Sequence, residues 1–180
     1  MRVTLLPVVA IDGPVGVGKS SVARSVAARL GFLFIDTGAM YRTVALRALA
    51  LSDGERTPAA LGRIARETKI DLRQDGRVLA DGEDISSAIR DEHVSRHVYL
   101  AADDRGVREA LVEQQRRMGR EQSAVLEGRD ITTVVFPDAR WKLYLDASPR
   151  VRAGRRVAQL AAAGRRPNTE QVFRDLLDRD

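Results

Sequence analysis

The chain has 180 residues, of which 44 % are apolar and 31 % charged, and it carries a net charge of +5. This length supports one α/β domain with a substantial core, so residues 1–180 read as a single domain. The absence of cysteine excludes disulfides and thiolate chemistry, His93 and His97 cannot make an all-histidine metal site, and no apolar run is long enough to span a membrane.

The first element is announced by Pro7-Val8-Val9-Ala10-Ile11, a β-branched run that predicts a buried parallel strand over Val8–Asp12. Leu5–Ile11 fits that strand better than a signal peptide, so a cytoplasmic protein with no membrane partner is expected. Gly13-Pro-Val-Gly-Val-Gly-Lys-Ser20 follows, a G-x-x-x-x-G-K-S loop between strand and helix. Such a loop turns successive backbone N–H groups toward an anion, and the next helix adds its positive dipole end. Lys19 would reach the β- and γ-phosphates, and the Ser20 hydroxyl would ligate Mg²⁺.

A helix is predicted over Lys19–Leu30, with Val22, Val26 and Leu30 as its apolar stripe, Ala23 and Ala27 beside them and Gly31 as C-cap. Phe32–Asp36 reads as a second strand, and Ala39–Leu51 as a helix. The segment Asp36-Thr-Gly-Ala-Met-Tyr-Arg42 then lies at a carboxyl strand end, where open α/β sheets bind ligands. Asp36 could support a metal or its waters, and Arg42 could hold a phosphate; Asp36 or Thr37 could equally cap the helix while Tyr41 packs.

Ala59–Thr68 reads as a short helix, and Ile70–Arg73 with Arg77–Ala80 as a hairpin around Gln74-Asp75-Gly76, followed by a turn at Asp81-Gly82. The hairpin breaks the strand–helix alternation and reads as an insert. Ser86–Met118 is mostly helical, with Val107, Leu111 and Met118 on one stripe. Ala124–Glu127 is a buried strand ending in an acid, a place where P-loop enzymes keep a carboxylate near Mg²⁺. Arg129-Asp130 after it could clamp phosphate and accept from an exocyclic amine, or could be a surface ion pair. Lys142–Asp146, a helix over Pro149–Ala163 and a terminal helix after Pro167 complete a parallel sheet covered on both faces.

The ordered set closely resembles bacterial cytidylate kinase of the nucleoside monophosphate kinase group. It comprises Gly13–Ser20, Asp36–Arg42, Leu79–Ser86, Val107–Leu111 with Gln115-Arg116, Glu127–Ala139, Leu145–Ser148 and Arg152–Arg156. The resemblance implies a P-loop kinase fold, a nucleoside-monophosphate-binding insert at about 63–102 and an arginine-rich lid at about 150–168. It implies transfer of the γ-phosphoryl of ATP, with Mg²⁺, to CMP or dCMP by a monomer that binds no nucleic acid. By motif match, Gly13, Pro14, Val15, Gly16, Val17, Gly18, Lys19, Ser20 and Ser21 would bind ATP. Ser20, Asp36 and Glu127 would attend the metal. Asp36, Thr37, Arg42, Arg108, Arg129, Asp130 and Arg179 would serve the acceptor, with Arg108 and Asp130 reading cytosine and Arg42 and Arg129 holding its phosphate. Lys19, Arg129, Arg152, Arg155 and Arg156 would neutralise the transferring group.

The chain departs from the family pattern at Tyr99, where serine is common, and at Thr132, where glycine is common. It stops at Arg179-Asp180, where the family continues through a final strand and helix. An exposed sheet edge beside Lys142–Asp146 is therefore expected. The alternatives are another small-molecule P-loop kinase, or a shortened domain that binds nucleotide but catalyses poorly. A GTPase is disfavoured, because Asp103-Asp-Arg-Gly106 precedes a helix and no N-K-x-D segment exists. A nucleic-acid module is disfavoured because only 4 % of residues are aromatic.

Overall fold

Short apolar strands, too hydrophobic to face water, form the centre of the computed structural model, which describes residues 6–162 and 164–177. Strands β1 (Val8–Asp12), β2 (Leu33–Asp36), β6 (Ala124–Gly128) and β7 (Trp141–Tyr144) make one parallel sheet in the order β2-β6-β1-β7. Between β2 and β6 in sequence lie β3 (Ile70–Leu72), β4 (Val78–Ala80) and β5 (Glu83–Asp84), which form a separate antiparallel sheet.

Alternation along the strands assigns the two faces of the main sheet. Val9, Ile11, Phe34 and Val125 pack against Ala23 and Ala27 of helix α1 (Lys19–Leu30). Val8, Ala10, Leu33, Ile35 and Leu126 face a larger core. That core includes Met40 and Val44 of α2 (Thr37–Leu49), Leu61 and Ala65 of α3 (Pro58–Glu67), and Val107 and Leu111 of α6 (Arg105–Glu121). Short helices α4 (Glu92–Arg96) and α5 (Tyr99–Ala102) pack on α2. Helices α7 (Pro149–Ala162) and α8 (Thr169–Leu177) follow β7.

The expected stripe on α1 is corrected. Val22 is 41 % and Leu30 51 % exposed, while Ala23 and Ala27 are buried. Small side chains let this helix lie close on the sheet, so the alanines occupy the buried face and the larger residues flank it. The expected hairpin is also extended: Asp81 and Gly82 both take positive φ and return the chain into β5, giving three strands rather than two. The Asp103–Gly106 segment opens α6, with the Asp104 carboxylate accepting from the Val107 N–H at 2.8 Å. It is a helix cap.

β7 bonds only β1, and its other side carries no strand among the described residues. Its Trp141, Leu143 and Tyr144 side chains are 44 %, 47 % and 71 % exposed.

Register sets the chemistry. Asp36 lies beside Glu127, and Ile11 lies on Glu127's other side, so Asp12 sits next to Gly128. Three carboxylates thereby meet at one edge of the sheet. Leu111 of α6 is fully buried in the larger core on one face of this sheet. Leu111→Ala is expected to cost about 2–5 kcal/mol in urea unfolding, whereas Val134→Ala, at a site 40 % exposed, costs under about 0.5 kcal/mol.

Candidate active site

The loop from Gly13 to Ser20 is shaped by close approach. A Cβ on Gly13, whose φ is +149°, would stand 2.1 Å from the Leu145 carbonyl oxygen. Gly18 takes φ +97° as the N-cap of α1. Cations occupy the carbonyl groups of the loop. Lys19 Nζ donates to Pro14 O at 2.9 Å, Arg152 to Val15 O at 3.1 Å and Arg155 to Val17 O at 2.9 Å. Arg152 is only 3 % exposed and also donates to Ala147 O at 3.1 Å, so it braces the loop from α7. Arg156 bonds Gln159 on its own helix. Ser20 and Ser21 are exposed on the first turn of α1.

Beside the loop, the Ser20 hydroxyl donates to Glu127 Oε1 at 2.5 Å. The Thr37 hydroxyl donates to the Glu127 carbonyl at 2.7 Å. Burial pushes the Glu127 carboxyl pKa up, and the negative charge of Asp36 adds to the shift; the Ser20 bond and Lys19 oppose it. Burial also lowers the Lys19 pKa, with Arg129 adding to that effect and Glu127, Asp12 and Asp36 resisting it. The sequence thus places Ser20, Asp36 and Glu127 in one neighbourhood, and the fold brings them together. A hydroxyl and two carboxylates are hard oxygen donors suited to Mg²⁺. No cluster of three or more His, Cys, Asp or Glu side chains that could hold a metal occurs among the described residues. The set fits an ion that completes its shell with phosphate oxygens and water.

On the far side of Glu127, Asp36 does two jobs. Its Oδ1 caps α2 by accepting from Ala39 N at 2.8 Å, and its Oδ2 faces Arg42 at 3.3 Å. Arg42 Nε is buried with no hydrogen-bond partner, a rare state for a buried donor. Arg108 of α6 pairs with Asp130 at 2.5 Å. Tyr41 lies against this pair; burial raises its pKa, with Arg108 opposing and Asp130 assisting. Asp130 therefore pairs with Arg108 from a distant helix. Arg129 is exposed at the end of β6, near enough to Lys19 to disfavour its charge. Arg179 lies outside the described residues.

Two features escape sequence reasoning. Glu92 of α4 accepts from both Arg96 and Arg165, so a salt bridge joins the 63–102 region to the segment after α7. No periodic signal announces a contact between residues so far apart. Asp12 is 2 % exposed and its carboxylate binds the segment after Asp130. Its signal in the sequence is an acid closing an otherwise apolar strand. Tyr99 is 51 % exposed, its ring 5.9 Å from that of His97.

A family model for cytidylate kinase matches residues 9–180. The cytidylate kinase of Pelotomaculum thermopropionicum is 48 % identical over 178 residues, which cover 97 % of this chain and 79 % of that protein. The cytidylate kinase of Symbiobacterium thermophilum is 48 % identical over 177 residues, covering 96 % and 78 %. A bifunctional pantoate ligase/cytidylate kinase of Synechococcus is 46 % identical over 184 residues, covering 97 % of this chain and 33 % of that longer protein. With its phosphate loop, acidic strand ends and arginines at one sheet edge, the chain belongs to the cytidylate kinase family.

Proposed function

We propose that this chain transfers the γ-phosphoryl group of ATP to CMP or dCMP, as a cytoplasmic monomer in pyrimidine nucleotide metabolism. The observation that carries the reading is the adjacency of two sets of groups at one sheet edge. Lys19 and the Gly13–Ser20 loop stand on one side of Glu127, and Arg42, Arg108 and Asp130 on the other. Phosphoryl transfer asks for alignment and charge neutralisation rather than a protein nucleophile, and the site supplies cations in that arrangement.

On the donor side, the loop N–H groups and the start of α1 hold the phosphates, and Lys19 leaves Pro14 O for the β- and γ-oxygens. Arg152 and Arg155 hold the loop's shape from behind, and Arg129 and Arg156 add positive charge around it. Ser20, Glu127 and Asp36 would hold Mg²⁺, which neutralises charge on the phosphates when bound. Glu127, which accepts from Ser20 here, would be one of the carboxylates beside that ion. On the acceptor side, Arg42 and Arg129 hold the monophosphate and Thr37 lines the same strand end. Asp130 accepts from the cytosine amine while Arg108 donates to the ring, each giving up the other as partner. The 63–102 region covers the monophosphate and the 150–168 segment covers ATP, excluding water that would otherwise take the phosphoryl group.

Lys19→Ala is expected to lower kcat/KM for CMP about 100-fold or more in a coupled ADP assay. Equal turnover of AMP, GMP, UMP and CMP by the unaltered chain would overturn the assignment of the acceptor. The raised pKa of Glu127 makes a second test. Its folded pKa lies above the ordinary 4.5, so its stabilising proton uptake is complete below that value and is lost as pH rises through the raised one. Glu127→Gln removes this component. The Tm of the variant, measured without nucleotide or metal, should gain on the parent between about pH 4.5 and neutrality. A Tm difference that is flat with pH contradicts the burial argument.

A further inference from the structure

The mechanism above leaves one buried charge without a role. Asp12 ends β1, directly before Gly13, and is 2 % exposed. Its carboxylate is spread over three donors on a single short segment. Oδ1 accepts from Ile131 N at 2.8 Å, and Oδ2 accepts from Thr132 N at 2.8 Å and from the Thr132 hydroxyl at 2.6 Å. These N–H groups begin the wide helical turn Ile131–Val135, whose first hydrogen bonds return to Asp130 O from Val134 and Val135 at 2.8 and 3.2 Å. The other end of the turn is fixed as well. Arg116 of α6 donates to Val134 O at 2.7 Å and to Val135 O at 3.0 Å.

The turn is therefore clamped at both ends by elements that belong to opposite sides of the reaction. Asp12 is continuous with the phosphate loop. Arg116 lies on the helix that carries Arg108, the partner of Asp130. Residues 129 and 130 are the short link between the end of β6 at Gly128 and the first of these clamps. A backbone shift at Ile131 or Thr132 would move Asp130, and with it the arginine–aspartate pair, relative to Gly13. Charge-assisted bonds from two successive N–H groups are short and directional, so they resist that shift better than packing alone.

We propose that Asp12 is a positioning residue that sets the distance between the phosphate loop and the acceptor-binding Arg129-Asp130 segment, and that the Thr132 hydroxyl completes its grip. The inference rests on the acceptor role given above to Arg129 and Asp130. Asp12 touches no substrate in this role; it acts through the backbone of residues 131 and 132. The charge of Asp12 is also felt at Lys19. Replacing Asp12 itself would thus disturb both substrates. Thr132 separates the two effects, because its hydroxyl bonds Asp12 and its side chain lies outside the phosphate loop.

The test is steady-state kinetics of the full chain with CMP and ATP varied in turn, alongside Tm. Thr132→Val keeps the shape of the side chain and removes the hydroxyl, and should raise KM for CMP roughly 10-fold while KM for ATP stays within about twofold. Thr132→Ser, which restores the hydroxyl, should return KM for CMP to within about twofold of the parent. In an Asp12→Asn background, Thr132→Val should add little, since its effect passes through the carboxylate. Should Asp12→Asn not fold, the Thr132 pair decides alone. Unchanged KM for CMP in Thr132→Val overturns the proposal, and so does an equal rise in both KM values, which marks general loosening. If the unaltered chain does not phosphorylate CMP at all, it is the acceptor reading that fails, and the two failures are told apart in the same assay.

Discussion

Negative charge concentrated at the carboxyl edge of a buried parallel sheet has to be satisfied, and much of this molecule is arranged around doing so. Parallel register brings Asp12, Asp36 and Glu127 to neighbouring strands at the same end. Leaving any of them buried without donors would cost several kcal/mol. Each finds a different solution. Asp36 caps the helix that follows it and faces Arg42, Asp12 takes backbone N–H groups and a hydroxyl, and Glu127 takes the Ser20 hydroxyl. The first two are fully engaged within the protein. Glu127 keeps a raised pKa, pushed up first by burial and then by the neighbouring charge of Asp36. The carboxylate with the raised pKa is thus the one that stands beside the Gly13–Ser20 loop.

The same logic applies with opposite sign to the arginines. Arg152 and Arg155 spend donors on the carbonyls of Val15 and Val17, and Arg116 spends its donors on Val134 and Val135. These arginines shape backbone. Arg42 keeps a buried Nε unbonded, and Arg108 holds the Asp130 carboxylate. A basic chain with many arginines therefore spends some of them on backbone carbonyls and others on carboxylates, and composition alone does not reveal the division.

Much of the fold was readable from the order of residues. Val8–Asp12 and Lys19–Leu30 match their expected limits, because a β-branched run, a glycine-rich loop and a C-terminal Gly31 mark them sharply. The burial of α1 was misread, since periodicity favours the large residues Val22 and Leu30 whereas close sheet contact selects Ala23 and Ala27. β5 was missed because a two-residue strand, Glu83–Asp84, is polar and exposed and carries no pattern. In the site, Ser20, Asp36 and Glu127 were found through their places at strand and helix ends. The Arg108–Asp130 pair and the Glu92–Arg165 bridge depend on how distant segments meet, which spacing does not encode.

Trp141 is the only tryptophan in the sequence. It sits on β7, whose outer side carries no strand among the described residues, and is 44 % exposed, with the Arg140 guanidinium 5.2 Å from its ring centroid. The indole lines neither core cluster and starts β7 beside Val9, at the opposite end of the strand pair from Asp12. Its emission reports the hydration of one sheet edge. Anything that lays a strand or a surface along β7 would register as a blue shift without any change in the nucleotide site. The molecule thus carries a built-in optical probe of the outer side of β7.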